Sequence, residues 1–251
     1  MSSWLKDLER WSGDTNDEAF VAFRAMGTNA IPGLIAVFQS GGPKWQKTIA
    51  EFNRKQSLIK LPYREPIIRE MAAAWALYAM GPEAKPALPV LSGYLFNTQH
   101  VDTVSAALAG VNSGGVTVLL GALTNNSASI RYSAVHGLSW ERADQNLVVP
   151  ALITCLHDSG SAVRRMAVVG LGEIGAKPEL VVPALINAYS PTNVYIHPHI
   201  LMSLGLFKTN AKPAIPLVLN ALKDPNTDVR IAAVFALEQI DPDAAAKAGA
   251  K

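Results

Sequence analysis

The chain carries one cysteine, Cys155, in 251 residues, which excludes an intramolecular disulfide and a thiolate metal cluster. Charged residues are scarce at 17%, too few for the self-repelling composition of a disordered chain. A formal charge of +2 is close to balance and lacks the strong positive field of proteins that grip many phosphates, so a nucleic-acid role would need a local patch. The amino-terminal stretch MSSWLKDLERWSGD holds no apolar run long enough for a signal or membrane segment, and the expected location is the cytoplasm. Catalytic strings are missing as well: no HExxH, GxSxG, P-loop or Cys-His arrangement stands out. GLGEIG, from Gly170 to Gly175, resembles a dinucleotide fingerprint only superficially, because it closes a helix and no strand precedes it. His197 and His199 open a helix, while His100, His136 and His157 are scattered, and no clustered acids accompany them as a metal site requires. No catalytic residue, metal or cofactor is expected.

What the chain does have is repetition. Leu138, Leu171, Leu204 and Leu237 stand 33 residues apart, as do Pro150, Pro183 and Pro216. A third register places Arg131, Arg164 and Arg230 at equivalent positions with His197 among them. Several columns at one period mean stacked supersecondary units. In each, the first helix is a PALI stretch, as in LVVPALITCLHD, with apolar residues three and four apart. Its proline is expected in the first turn, where amides have no intrahelical acceptor. A polar turn, DSGSA or DPNTD, leads to the second helix, VRRMAVVGLGEIG or VRIAAVFALEQI. Small residues there, Ala134, Ala167, Gly170, Ala233 and Ala236, let neighbouring units approach. The leucine and proline registers are both expected to point into a shared interior. Cys155 shares its column with Ala188 and Ala221, the mark of a small buried slot.

The predicted fold is therefore all-α, a right-handed α-solenoid of about seven two-helix repeats. It is read as one domain over residues 1–251. Residues 1–15, with Trp4, Leu5, Leu8 and Trp11, would cap the open end; looser copies run over 22–38, 67–95 and 104–123; residues 124–251 are the most regular; residues 40–66 are an insertion.

Ankyrin repeats share the period but carry a TPLH-type turn, and tetratricopeptide repeats need tryptophan, Leu-Gly and tyrosine in the first helix; neither pattern occurs. The PALI helix, Asp-containing turn, VR start, alanine-rich second helix and LGxIG end are nearest in LGEIG, from Leu171 to Gly175, and VPALINAY, from Val182 to Tyr189. These features resemble the HEAT-like repeats of the phycobilisome-lyase type, over almost the whole chain outside 1–15 and 40–66. The resemblance implies a repeat fold that presents a surface, and implies little about chemistry. The chain departs from the deoxyhypusine hydroxylases, HEAT-like di-iron enzymes with repeated His-Glu pairs, which are missing here.

Three sets of residues are candidates for function or its bland counterpart. Each register arginine lies six residues after a polar turn residue: Asn125 with Arg131, Asp158 with Arg164, Asp224 with Arg230. The unit with Pro191 and His197 lacks both, so a structural pair within each unit is expected, worth ~0.2–1 kcal/mol if exposed. Arg165 falls outside that column and is assigned to the accessible face. The second-helix columns His136, Val169, Met202, Phe235 and Trp140, Glu173, Leu206, Gln239 would line the inner face as an apolar stripe for a helix or extended peptide, or else pack between repeats. The insertion carries Lys44, Lys47, Arg54, Lys55, Lys60 and Arg64 interleaved with Trp45, Phe52 and Tyr63. Such a loop could grip an acidic protein, stack on bases as single-strand binders do, or pack back on the first repeats. The partner-binding set is thus Lys44, Trp45, Lys47, Arg54, Lys55, Lys60, Tyr63, Arg64, His136, Trp140, Arg165, Met202 and Phe235. The favoured function is a non-catalytic, monomeric adaptor holding another protein or peptide, with no membrane partner. Nucleic-acid binding or base processing, as in the HEAT-like alkylpurine glycosylases, and a bilin lyase-type assembly factor are the alternatives.

Overall fold

A computed structural model of the chain describes residues 25, 27–40, 66–97, 101–111, 113–140 and 144–249, and every regular element among them is helical. The N-terminal cap and nearly all of the 40–66 insertion lie outside the described residues. Among those described, no helix is long and apolar enough to cross a membrane. The chain divides into two compact units, Met1–Val118 and Leu119–Lys251.

In the first unit α1 (Ile31–Ser40) packs on α2 (Pro66–Met80), and α2 packs on α4 (Val101–Gly110), which also holds α3 (Leu88–Asn97). Leu34, Leu77, Leu91, Leu95 and Leu108 are fully buried. The alanines of α2 leave room for α4 to come close: a Cβ on Gly110 would stand 2.3 Å from the Tyr78 Cα, so only glycine fits that crossing. A further helix, α5 (Ser113–Ala122), carries the chain into the second unit.

The second unit contains the regular repeats. After α6 (Ala128–Leu138), first and second helices alternate: α7 (Gln145–Cys155) with α8 (Ser161–Ile174), α9 (Pro178–Ala188) with α10 (His197–Leu206), α11 (Ile215–Ala221) with α12 (Thr227–Ile240), and finally α13 (Pro242–Ala248). The second helices stack side by side, α6 on α8, α8 on α10 and α10 on α12. Local chemistry sets the ends. The Asp144 carboxylate accepts from the Asn146 amide at 2.9 Å and Asn226 from the Asp228 amide at 2.9 Å, each satisfying a first-turn donor that has no helical acceptor. Gly175 ends α8 in the left-handed region at φ 61°, its amide donating to Leu171 at 3.3 Å, the usual glycine stop. One period later Lys208 adopts φ 51°, a conformation that costs a side-chain-bearing residue about 1–2 kcal/mol.

The four register leucines, Leu138, Leu171, Leu204 and Leu237, are each 0% exposed and form the spine of this core. The proline register behaves otherwise. Pro150, Pro183 and Pro216 all lie at the surface. Moreover, Pro150 and Pro183 occupy the second turn of their helices, because Asp144 and Pro178 start those helices a turn earlier than the proline suggests. Only Pro216 is in the first turn, since the equivalent residues before it form the 3-10 segment Lys208–Ala214. A surface position suits an interior proline, because the carbonyl it leaves without a donor can turn to water.

Stacking of the second helices repeats one contact. Ser139 meets Gly170, Gly172 meets Ser203, and Gly205 meets Ala236, each a pair of small residues on neighbouring second helices. A Cβ on Gly170 would lie 2.0 Å from the Ser139 Oγ, and one on Gly172 would lie 2.6 Å from the Ser203 Oγ. Ser203 also donates across the interface to the Val168 carbonyl at 2.9 Å. These contacts hold the second helices close together.

Candidate functional site

The arginine register is structural, but not by the pairing expected within a unit. Arg164 Nη1 donates to the backbone carbonyls of Asp158 and Ser159 at 2.7 and 3.1 Å, and Arg230 Nη1 to those of Asp224 and Pro225 at 2.9 Å each. Arg131 does the same to Asn125 and Asn126. The polar side chain six residues earlier is turned away to shape the loop: Asp158 Oδ1 accepts from the Gly160 amide at 2.7 Å and Asp224 Oδ1 from the Asn226 amide at 2.8 Å. The one carboxylate partner reaches between units. Arg131 Nε and Nη2 each donate at 2.7 Å to the two oxygens of Asp158, and both side chains are only 11% exposed. That hydrogen bond, with the adjacent guanidinium charge, holds the Asp158 carboxyl below its ordinary range.

Carried one period on, the same geometry would give Arg164 a carboxylate at position 191, where the chain has proline. Arg164 Nε is accordingly buried without a hydrogen-bond partner. His197, in the arginine column, donates from Nε2 to the Ser190 carbonyl at 2.9 Å and stacks on Tyr189 with ring centroids 3.7 Å apart. It keeps the turn contact and gives up the link to the next unit.

On the second helices, residues four and eight positions beyond the arginine-adjacent column form one surface. The first stripe is Tyr132, Arg165, Pro198 and Ile231; the second His136, Val169, Met202 and Phe235; the third Trp140, Glu173, Leu206 and Gln239. None of the twelve is buried. Met202, Leu206 and Ile231 are 42%, 49% and 62% exposed, large apolar side chains left open beside a close-packed leucine spine. Tyr195, on the turn Pro191–Ile196, leans over His199 at 6.5 Å.

Three nitrogens on or beside this surface lack partners in the protein: His136 Nδ1, Arg165 Nε and His199 Nδ1, all shielded from solvent. Burial, and then the nearby Arg165 charge, holds His199 below the ordinary imidazole range. Cys155 is buried, as are its column equivalents Ala188 and Ala221, and burial pushes its thiol up to about 11. Among the described residues no group of three or more His, Cys, Asp or Glu is placed to hold a metal ion.

Of the residues singled out by sequence, the structure brings five to this surface. His136 and Trp140 pack edge to face at 5.8 Å on α6; Arg165 is half-buried on α8 and Met202 exposed on α10. Phe235 is half-exposed, and its ring lies over Gly205, where a Cβ would come within 2.8 Å of Cε1, so part of it packs between repeats. Lys44, Trp45, Lys47, Arg54, Lys55, Lys60, Tyr63 and Arg64 lie outside the described residues. Sequence reasoning missed Ile231 and Tyr195. Ile231 shares the 33-residue register with Arg165 and could have been found from it; Tyr195 sits in an irregular turn and left no signal.

The HEAT repeat family matches residues 214–243, the stretch that contains α11 and α12. No curated protein matches the sequence. Among solved structures, the complex of CpcE and CpcF of phycocyanin lyase from Nostoc sp. PCC7120 is similar at 22% identity and TM-score 0.50, covering 64% of this chain and 67% of that one. An engineered protein is similar at 19% identity and TM-score 0.49 over 96% of this chain and 98% of its own. Human deoxyhypusine hydroxylase in complex with glycerol reaches 19% identity and TM-score 0.43 over 95% and 88%.

Proposed function

Since the chain is a HEAT-like repeat protein, we propose that it works as a non-catalytic scaffold, holding another protein on the second-helix face of the unit Leu119–Lys251. One observation carries the reading: Met202, Leu206 and Ile231 stand open to solvent on the neighbouring helices α10 and α12, whose adjacent positions are close-packed. Exposed apolar surface on a rigid frame is where protein contacts form. The basic and aromatic insertion, with Lys44, Arg54 and Lys55, is the second place a partner would touch, in a cytoplasmic setting.

A pull-down from the source lysate tests this with two variants, Met202→Glu with Leu206→Glu, and Lys44→Glu with Arg54→Glu and Lys55→Glu. A specific partner retained by the parent protein and lost with the first variant supports the second-helix face, while loss with the second variant alone moves the contact to the insertion. A partner indifferent to both changes defeats the proposal. The nucleic-acid alternative is tested by retention of single-stranded DNA at two salt concentrations, because phosphate contacts weaken steeply with salt.

A further inference from the structure

The second-helix face has a chemical polarity that apolar exposure alone does not account for. At one end lie Arg165 Nε and His199 Nδ1, with His136 Nδ1 a helix away, all shielded from water and unpartnered. Native proteins leave few buried polar atoms unpaired, and each such group calls for an explanation. Arg165 makes no ion pair with any described residue. Glu173, the carboxylate of the three stripes, is eight residues along the same helix, about 12 Å away. Tyr195 forms a wall over His199. At the other end Met202 and Leu206 are open. Arg165, half-buried and without an ion pair among the described residues, beside aliphatic side chains with no cover, complements a ligand that is acidic at one point and apolar at another.

We propose that this face binds an extended peptide segment, one carboxylate side chain of which sits against Arg165 while a bulky apolar side chain covers Met202 and Leu206. The assignment rests on the scaffold reading and adds the chemistry of the partner. A single guanidinium flanked by histidines gives no row of cations along which a nucleic-acid backbone could track, whereas carboxylate recognition by one arginine is a planar, two-point contact. The spacing follows from geometry. Arg165 and Met202 lie on neighbouring helices, about 9 Å apart, and are displaced by four residues along the axis, about 6 Å. The diagonal is about 11 Å, which an extended chain spans in about three residues.

A random-peptide phage library selected on the full-length protein tests the idea, followed by binding of a synthetic consensus peptide to Arg165→Gln, Arg165→Lys and the Met202→Glu, Leu206→Glu double variant, each checked for parental melting. Enriched peptides should share an Asp or Glu about three residues from a Leu, Ile, Phe or Met. The consensus peptide should lose roughly tenfold in affinity on Arg165→Gln. Changing its acid to the amide should cost the same, with no further loss when both are changed; Arg165→Lys should retain part of the affinity. Peptides that bind through Met202 and Leu206 but lack an acid, or ignore Arg165→Gln, would overturn the acidic assignment and leave the scaffold reading standing. Absence of enrichment, or binding indifferent to the Met202 and Leu206 changes, would overturn the use of this face altogether. Displacement of the peptide by a single-stranded oligonucleotide in a salt-sensitive manner would assign the face to nucleic acid instead.

Discussion

Replacing Asp158 with Asn removes a charge while keeping the oxygen that accepts from the Gly160 amide, so it isolates the rung between units. In the parent protein two charge-assisted contacts of 2.7 Å join Asp158 to Arg131, and the two side chains are 11% exposed. Exposed pairs contribute ~0.2–1 kcal/mol, and removing one partner of a buried pair costs ~3–5 kcal/mol; this pair lies nearer the second limit, and the expected loss is about 2–4 kcal/mol at pH 7. Because the rung joins neighbouring repeats, the loss falls on the interface between them and should make urea unfolding less cooperative. The pH dependence has a definite sign. Asp158 has a depressed folded pKa, so its contribution is present above the unfolded carboxylate value of about 3.9 and is lost as pH falls through the lower folded value. The difference between parent and Asp158→Asn should therefore be constant near neutrality and vanish in strong acid. A double-mutant cycle with Arg131→Met, followed by circular dichroism in urea, reads the coupling directly. A coupling below about 0.5 kcal/mol would refute the rung.

Leu171, fully buried in the spine, should cost about 2–5 kcal/mol on replacement by Ala, whereas Arg64→Ala should cost little; a thermal melt giving the reverse ranking contradicts the division into frame and surface. Lys208→Gly relieves a φ of 51° and should raise stability by about 1 kcal/mol, readable as a higher urea midpoint at unchanged slope. Gly172→Val would drive its side chain into Ser203, 2.6 Å from the position of the new Cβ, and should lower stability by about 1–3 kcal/mol; an unchanged melt would show that the second helices stack less closely. Pro191→Asp places a carboxylate one period after Asp158 and should add about 0.5–1 kcal/mol through Arg164, an effect abolished by Arg164→Met.

The spine was legible because one period carries it: four leucines 33 apart can share a core only if successive units superpose. The same periodicity hid the rung. Asp158 lies 6 residues before Arg164 and 27 after Arg131, and the two separations sum to one period, so the pattern alone cannot say which arginine it meets. Packing decides: Arg164 is held by the carbonyls of the turn, while Asp158 Oδ1 accepts from both the Gly160 amide and Arg131 Nη2 and Oδ2 accepts from Arg131 Nε. The proline column misled for a local reason: Asp144 caps α7 six residues before Pro150, and a cap outranks a proline in fixing where a helix begins. On the outward face, Met202 and Phe235 occupy one column yet differ in role. Gly205 opens a seat for the Phe235 ring, a consequence of a residue in another column that no single register reveals.

The lone thiol gives the molecule an internal gauge of its own opening. With Cys155 raised to about 11, only about one thiol in a thousand is ionised at pH 8, and its burial also limits the access of reagents to the sulfur. Alkylation in native buffer should therefore be slow, and its rate should rise when the C-terminal end of α7 opens while the rest of the chain remains assembled. Shielded by the fold and exposed by its loosening, a single sulfur atom can report peptide capture, rung loss and proline repair on one common scale.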